Sequence, residues 1–442
     1  MPLKQGVLAS LTLALVSLPA QAASLVELYQ RALMTHPALQ AQRSALERAG
    51  ARVDQASSRL KPQISATLGF AHNDFRGEGS PRDEYASRRH VLQIRQALFD
   101  LSSVRQLRAE ESRVAQNSAD LEATRTELAS DLVERYLDVL NAAEDFRSLL
   151  AEREAVVGQL ARVRTMHQRQ MAKVTDLLEV EAYLATLDAK GIEVRNAKAV
   201  ALERLREVVG EPVDDVADLS SSSLPPITGD IDVWVRQGLA DNRRLAALSH
   251  GVESEQRAIA ATRAQHAPQV GLTVSKTWSD ADSDSRRNPP FNVASIGVQI
   301  TIPIYEGGRV AAATRESVAR RDVALQQREE KVREVEREIR TAYLKTQSDV
   351  ARVEAMAQTV KANERARDAQ LKGLELGAST VVDLLDSQRR LFRSRADHAK
   401  ARHDFIRSQT ALRRHAGALS ERELQEISGW MTGAISPPAA VR

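Results

Sequence analysis

The chain has 442 residues, of which 4% are aromatic and 27% are charged, and its 62 basic and 59 acidic side chains leave a net charge of +3. This composition is typical of long solvated helices and coiled coils rather than of thick globular cores. Because basic and acidic residues are interspersed, no nucleic-acid partner is expected, and because cysteine is absent, neither disulfides nor a lipid-modified N-terminal cysteine is expected.

Residues 1–22 have the pattern of a secretory signal peptide. Lys4 precedes an apolar run at 6–18 that is too short to span a bilayer comfortably, and Ala20-Gln21-Ala22 forms a small-residue cleavage site. We therefore expect export and a mature chain that begins near Ala23, with a retained anchor helix as the alternative. No second long apolar segment follows, so the mature chain is either soluble or crosses a membrane as strands.

Landmarks of different chemistry recur in one register along the rest of the chain, which indicates an internal duplication. Pro62-Gln63 recurs as Pro268-Gln269, and Tyr136-Leu137 recurs as Tyr343-Leu344. Pro225-Pro226 follows a serine-rich stretch and is expected to lie in the linker between the repeats. The expected divisions are a signal peptide, a first repeat, a linker, a second repeat and a C-terminal tail, at 1–22, 23–219, 220–229, 230–418 and 419–442.

Each repeat is predicted to begin with a helix, which is followed by two segments that alternate apolar and polar residues in the manner of β-strands. These segments are 64–70, 92–98, 270–275 and 295–302. The polar connections within the two pairs, from Asn73 to Arg89 and from Ser279 to Asn292, are predicted to be solvent-exposed loops.

The segment after each strand pair is predicted to be a very long helix, because proline is absent from 82–211 and from 304–436. Apolar residues recur at steps of three and four from Leu128 to Leu150, as in a coiled-coil seam. The run from Leu101 to Gln170 would be about 100 Å long, and the run from Arg309 to Lys372 would be similar. A turn and a second long helix are expected after each run.

Four amphipathic strands per chain are too few to close a membrane barrel. In lipid, an unpaired strand edge leaves N–H and C=O groups without partners, and bacterial barrels need about eight or more strands. If the apolar face contacts lipid, several copies must share one barrel, and this argument does not choose between two copies and three. The alternative is a small antiparallel sheet packed on a soluble helical body.

Taken together, these features resemble the TolC-like outer membrane factors, the channels of type I secretion and multidrug efflux. The likeness extends from about Leu25 to Gly417 and is carried by the segments 28–37, 62–63, 96–100, 302–308, 376–377 and 382–386. It implies an α+β membrane protein, in which a trimeric twelve-stranded barrel continues into a long periplasmic α-helical coiled-coil barrel. It also implies a homotrimer in outer membrane lipid, a periplasmic adaptor protein and an inner-membrane ABC or RND pump as partners, and no catalysis or cofactor.

The resemblance places the turns around 166–173 and 373–380 at the periplasmic tip, where the adaptor binds. Asp383 and Asp386, which share one face of a helix, match the paired aspartates of the family's channel constriction. A threefold axis would bring six carboxylates together, and such a ring would favour cations, could bind multivalent metal ions and should have raised, coupled pKa values. The residues alone favour a different role, because Thr380 and Asp383 fit a T-x-x-D helix-capping pattern. Both roles can hold at once.

Two further sets of candidate residues follow from the resemblance. The tip, gate and adaptor contact is expected to include Thr175, Asp176, Glu179, Gly377, Ser379 and Thr380. The strand-to-helix junctions are expected at Phe99, Asp100, Tyr305, Glu306, Gly307 and Gly308. The glycine pair therefore falls at a turn from strand to helix and not in a phosphate loop.

The sequence departs from the family at the positions of its latch. Family members close the tip with a tyrosine and an arginine that bond to an aspartate of the first repeat, and those two positions are Leu374 and Ser379 here. Thr175-Asp176 remains on the partner side. Our hypothesis is that closure uses different bonds or is looser, which the resting conductance of purified trimers in planar bilayers would test.

An enzyme is not expected, because the sequence has no convergent catalytic constellation and its nine histidines form no metal-ligand pair at helical spacing. The main alternative to a channel is a structural periplasmic coiled-coil protein, which would be extracted without detergent.

Overall fold

A computed structural model of the chain describes residues 23–79, 82–219, 227–281 and 290–432. The expected signal peptide, the linker prolines Pro225-Pro226 and the tail from Gly433 onwards lie outside these residues.

The same order of elements occurs in both halves of the chain. The first half contains α1 (Leu25–Thr35), α2 (Pro37–Ser58), β1 (Gln63–Phe75), β2 (Asp83–Asp100), α3 (Leu101–Gln168) and α4 (Val174–Val209). The second half contains α5 (Ile231–Asp241), α6 (Arg243–Arg263), β3 (Gln269–Ala281), β4 (Phe291–Thr301), α7 (Arg309–Glu375) and α8 (Val381–His415). A further helix, α9 (Glu421–Thr432), lies in the expected C-terminal tail. Among the described residues, no helix combines the length and the hydrophobicity that crossing a membrane requires.

Two helices precede each strand pair where the sequence predicted one. In the first half the break falls at His36, whose extended backbone precedes Pro37 at the first position of α2, because a residue before proline disfavours the α conformation. In the second half Asn242 makes the break, and its side-chain oxygen accepts a hydrogen bond from the backbone N–H of Leu245 at 3.1 Å.

The strands form one antiparallel sheet in the order β1-β2-β3-β4. The predicted loops from Asn73 to Arg89 and from Ser279 to Asn292 were wrong in extent, because the strands continue into both. Asn73 pairs with Tyr85, and Arg89 pairs with Gly69. Backbone pairing does not depend on side-chain polarity, so a polar stretch extends a strand wherever an adjacent strand supplies hydrogen-bond partners.

The sheet has two chemically different faces, because alternate residues and cross-strand partners share a face. One face is apolar over most of its area and carries Ile64, Leu68, Phe70, Leu92, Ile94, Leu272, Val274, Ile296, Val298 and Ile300. The opposite face carries Ser65, Thr67, Gln93, Arg95, Thr273, Ser275, Ser295 and Gln299. Within one chain, β1 and β4 each pair on one side only.

The helices form two long antiparallel hairpins, α3 with α4 and α7 with α8, and α8 also packs along α3. At about 1.5 Å per residue, α3 is about 100 Å long, as the sequence predicted. Near its middle Tyr136 is fully buried, and its hydroxyl donates to the Ala217 carbonyl at 2.7 Å. The main apolar core surrounds this tyrosine, and α9 contributes Leu424 and Trp430 to it.

A partly buried polar pair joins the two hairpins at the level of this core. The Nδ1 atom of His403 lies 2.8 Å from Oδ1 of Asn141. Burial lowers the pKa of His403 to about 4, and the neighbouring Arg402 adds to the effect, so the ring is neutral at pH 7.

Candidate functional site at the helical tip

The two helical hairpins turn at the end of the molecule remote from the sheet. The α3–α4 turn places Gln170 at φ 58°, a conformation that non-glycine residues adopt uncommonly. The α7–α8 turn places Gly377 at φ 74°, and the Ala378 amide donates to the Gly373 carbonyl at 2.8 Å. The positive φ explains the requirement for glycine at this position.

Thr380 and Asp383 form the capping box that the sequence pattern predicted. The Asp383 amide donates to the Thr380 hydroxyl at 3.1 Å, while Oδ2 of Asp383 accepts from the Thr380 amide at 3.0 Å and from its hydroxyl at 2.6 Å. These bonds satisfy donors at the start of α8 that would otherwise lack partners.

The two candidate constriction residues lie on one turn of α8 but have different partners. Asp383 is exposed, and its hydrogen bonds from the Thr380 side chain and backbone lower its pKa. Asp386 forms an ion pair of 2.8 Å with Arg389. The raised pKa values expected of a six-carboxylate ring depend on acids of neighbouring copies, so within one copy the hydrogen bonds dominate and the pKa of Asp383 shifts in the opposite direction.

The acids of the first hairpin are arranged in a similar way. Oδ2 of Asp176 accepts from the backbone amide of Lys173 at 3.3 Å at the start of α4, so Asp176 caps its helix as Asp383 does. Thr175 and Glu179 are exposed on the same turn. Ser379 uses its own amide to bond the Gly373 carbonyl at 3.2 Å, and it makes no hydrogen bond with Asp176.

An apolar cluster, which we call the tip cluster, joins the second hairpin to the first. Val381 and Leu385 are buried in it, and Leu374, where the resemblance led us to expect a latch tyrosine in other members, packs against it. The first hairpin supplies Leu149, Val156, Val163, Val180 and Leu187. Sequence reasoning missed this contact, although the spacing of Val381 and Leu385 places both on one helix face.

Polar contacts between the hairpins lie farther from the tip. The nearest to it is the bond from the Ser148 hydroxyl to the Phe392 carbonyl at 3.0 Å, and beyond it come His403 with Asn141 and Arg407 with Asp138. Within the described parts of both hairpins, no hydrogen bond or ion pair joins them between Ser148 and the tip. In this structure the tip is therefore held by apolar packing.

The first strand-to-helix junction is abrupt. A β-bulge between Ala97 and Phe99 disturbs the pairing of β2 with β3, and Asp100 caps α3 by accepting from the Ser103 amide at 3.0 Å. A bulge bends its strand and increases the local twist, which changes the chain direction where the helix begins.

The second junction is a longer turn. Gly307 and Gly308 both have positive φ, at 62° and 82°, and Glu306 forms an ion pair of 2.9 Å with Arg309 across them. Tyr305 projects into solvent ahead of the glycines. Both predicted junctions thus lie where a strand passes into a long helix.

Among the described residues, no three His, Cys, Asp or Glu side chains converge in a way that could hold a metal ion. Of the acids at the tip, Asp176 and Asp383 cap helices, and Asp386 forms an ion pair.

Comparisons with known proteins match nearly the whole chain. A family model described as outer membrane efflux protein matches residues 28–211 and 234–418. The alkaline protease secretion protein AprF of Pseudomonas aeruginosa is 26% identical over 416 residues, which are 92% of this chain and 85% of that protein. Outer membrane protein TolC of Vibrio cholerae is 25% identical over 412 residues, which are 92% of this chain and 93% of that protein. The solved structure of the outer-membrane channel OprN superposes with a TM-score of 0.75 at 20% identity, covering 89% of this chain and 90% of that one.

Proposed function

The chain belongs to the outer membrane efflux protein family, and from this premise we propose that three copies form one continuous conduit across the outer membrane and the periplasm. The cargo enters from a periplasmic adaptor protein and an inner-membrane ABC or RND pump, in type I protein secretion, in multidrug efflux or in both. The family's members are channel proteins, and the pump supplies the energy.

The observation that carries this proposal is the open sheet with one apolar face. Ile64 on β1 and Ile296 on β4 are 70% and 74% exposed in a single copy, as are several apolar neighbours. In lipid these side chains are stable, whereas the unpaired edges of β1 and β4 are not, because each unsatisfied backbone group costs several kcal/mol.

Pairing between copies removes both edges. Successive strands are antiparallel, so β4 of one copy can pair antiparallel with β1 of the next, and a closed ring of copies leaves no edge. Three copies give the twelve strands that the family resemblance implies. The hydroxyl and amide side chains of the polar face then line the interior, as a water-filled channel requires.

At the other end, we infer that Asp383 and Asp386 line the constriction and that the two helical turns contact the adaptor. The exposed positions Thr175, Glu179 and Gly377 are available for that contact. We propose that the tip cluster takes the place of the polar latch, because Leu374 packs against this cluster at the position where the family resemblance implies a bonded tyrosine.

Extraction and electrophysiology test the channel. We expect the processed protein to resist salt extraction, to dissolve in detergent as a heat-modifiable trimer, and to conduct ions in planar bilayers. A monomeric product that dissolves freely without detergent would refute the channel and support the structural coiled-coil alternative.

Complementation distinguishes the two cargo classes. The chain would be expressed in a strain that lacks its own channel of this family, together with either a type I secretion pump and its adaptor or an efflux pump and its adaptor. Restored protein export, restored drug resistance or both would assign the cargo. Failure with every cognate adaptor and pump, with the trimer present in the outer membrane, would contradict the export role.

A further inference from the structure

The apolar face of the sheet changes character toward the end remote from the helices. Cross-strand pairing places Phe70 opposite Arg88, and His90 opposite Trp278. Lys276 lies two residues before Trp278 on the same face. We call these five residues, Phe70, Arg88, His90, Lys276 and Trp278, the rim cluster.

Two pairs of side chains within the rim cluster are in contact. The rings of Phe70 and His90 meet edge to face with centroids 5.4 Å apart. The Lys276 ammonium lies 5.2 Å from the centroid of the Trp278 ring, within the range of a cation–π contact. Together with the cross-strand pairing, these contacts place aromatic rings and cations side by side on this face.

The cations of this patch lack acidic partners among the described residues. No carboxylate there forms an ion pair with Arg88 or Lys276 within 4.0 Å, although Asp280 is the cross-strand neighbour of Arg88. The Nδ1 atom of His90 is buried and has no hydrogen-bond partner. The patch can therefore accept an external anionic group.

Position along the strands matters as much as charge. On the same face, the half of the sheet nearer the helices carries no Lys or Arg among the described residues and is mostly apolar, with side chains such as Ile94, Leu272 and Ile300. A basic residue facing lipid costs least near the membrane interface, and aromatic girdles mark that interface. The helices extend into the periplasm, so the rim cluster lies at the level of the outer leaflet.

We propose that the rim cluster binds the phosphate groups of lipid A, the phosphorylated glycolipid of the outer leaflet. Arg88 and Lys276 bind phosphate oxygens, while Phe70 and Trp278 contact the adjoining acyl chains. This inference rests on the outer-membrane placement proposed above.

The chain offers a matched control in Arg89. It is exposed and adjacent to Arg88 in sequence, but it lies on the polar face of the sheet. Arg89→Gln removes the same charge from the same strand and leaves the lipid-facing patch intact.

The experiment measures binding of lipid A to purified detergent-solubilised trimers by native mass spectrometry, with dephosphorylated lipid A and inorganic phosphate as competing probes. We expect preference for phosphorylated lipid A and about a 30-fold loss of affinity in Arg88→Gln/Lys276→Gln, at about fivefold per basic residue near a charged membrane surface. Arg89→Gln should bind as the wild type does. Arg88→Lys, which keeps the charge, should retain most of the binding.

Three results would overturn the proposal. The first is equal binding of phosphorylated and dephosphorylated lipid A, and the second is a loss of affinity in Arg89→Gln as large as that in the double variant. The third is displacement of bound lipid A by millimolar inorganic phosphate. Each variant is first tested for assembly into a heat-modifiable, conducting trimer. If the double variant does not assemble, Lys276→Gln alone replaces it, and its affinity for lipid A is expected to fall about fivefold. A wild type that forms no detergent-extractable trimer refutes the channel itself, whereas a conducting trimer without phosphate-dependent binding refutes only the lipid site.

Discussion

Truncation of Leu385 in the tip cluster should open the channel tip. Leu385 is 6% exposed, and most of the other buried members of the cluster belong to the first hairpin. Burial of a leucine is worth about 2 to 5 kcal/mol relative to alanine in a packed core. The contact lies near the end of the molecule, where the remaining side chains can collapse, so we take the lower figure.

Only the part of this energy that is lost when the hairpins separate affects opening. A loss of about 2 kcal/mol corresponds to about a 30-fold larger population of the open tip. We therefore expect Leu385→Ala to raise the single-channel open probability in planar bilayers by about 10- to 30-fold, as long as the wild-type tip is mostly closed. Leu376→Ala is the control, because Leu376 lies in the adjoining turn and is 75% exposed.

Salt separates this mechanism from a polar latch. Raising the ionic strength from 0.1 M to 1 M shortens the Debye length from about 10 Å to about 3 Å, which weakens exposed ion pairs but not apolar packing. We expect the wild-type open probability to stay nearly constant over this range. Equal open probabilities in Leu385→Ala and Leu376→Ala, or a wild-type tip that opens with salt, would refute the apolar closure.

Three further changes test the packing of the helical body by thermal unfolding. Tyr136→Phe leaves the partly buried Ala217 carbonyl without its donor and should cost about 1 to 2 kcal/mol. Tyr343 is the equivalent position in the second repeat, and its bond of 3.3 Å is solvent-exposed, so Tyr343→Phe should cost less than about 0.5 kcal/mol. Equal losses would contradict the role of burial. Burial lowers the pKa of His403 from 6.5 to about 4, so the unfolded chain binds a proton more readily than the folded chain does. Stability should therefore fall by up to about 3 kcal/mol as the pH drops from 6.5 toward 4. His403→Gln should flatten the dependence of Tm on pH in that window, and an unchanged profile would refute the assignment. Gly417→Ala should be severely destabilising, by about 3 kcal/mol or more, because φ is 70° and the new Cβ would overlap the backbone carbonyl of Asp241. Gly377→Ala should cost about 1 kcal/mol, because φ is 74° but the space around it is open. A larger loss of stability in Gly377→Ala than in Gly417→Ala would contradict the steric argument.

Many elements could be predicted from the sequence, because their signals are local. Alternation at 64–70 marked β1 and the absence of proline marked α3, since strand and helix periods follow from backbone geometry. The capping box of Thr380 and Asp383 was also predictable, because its atoms lie within one helical turn.

The loops predicted from the sequence were too long and the helix breaks were not predicted, and both errors have the same cause. The residues from Asn73 to Phe75 are polar enough to suggest a loop, but they have cross-strand partners from Asp83 to Tyr85, and pairing between distant residues cannot be read from local polarity. The break at Asn242 depends on a single side-chain bond to Leu245, which competes with helix continuation only when the neighbouring packing favours it.

Periodicity and short motifs were enough to predict most of the elements, their duplication and the family resemblance. The tertiary structure was needed to show that Leu374 packs against the tip cluster, that Asp386 pairs with Arg389, and that Arg88 shares a face with the apolar residues of the sheet. Packing partners and strand register arise from contacts between residues far apart in the chain, and such contacts are fixed only when the whole chain has folded.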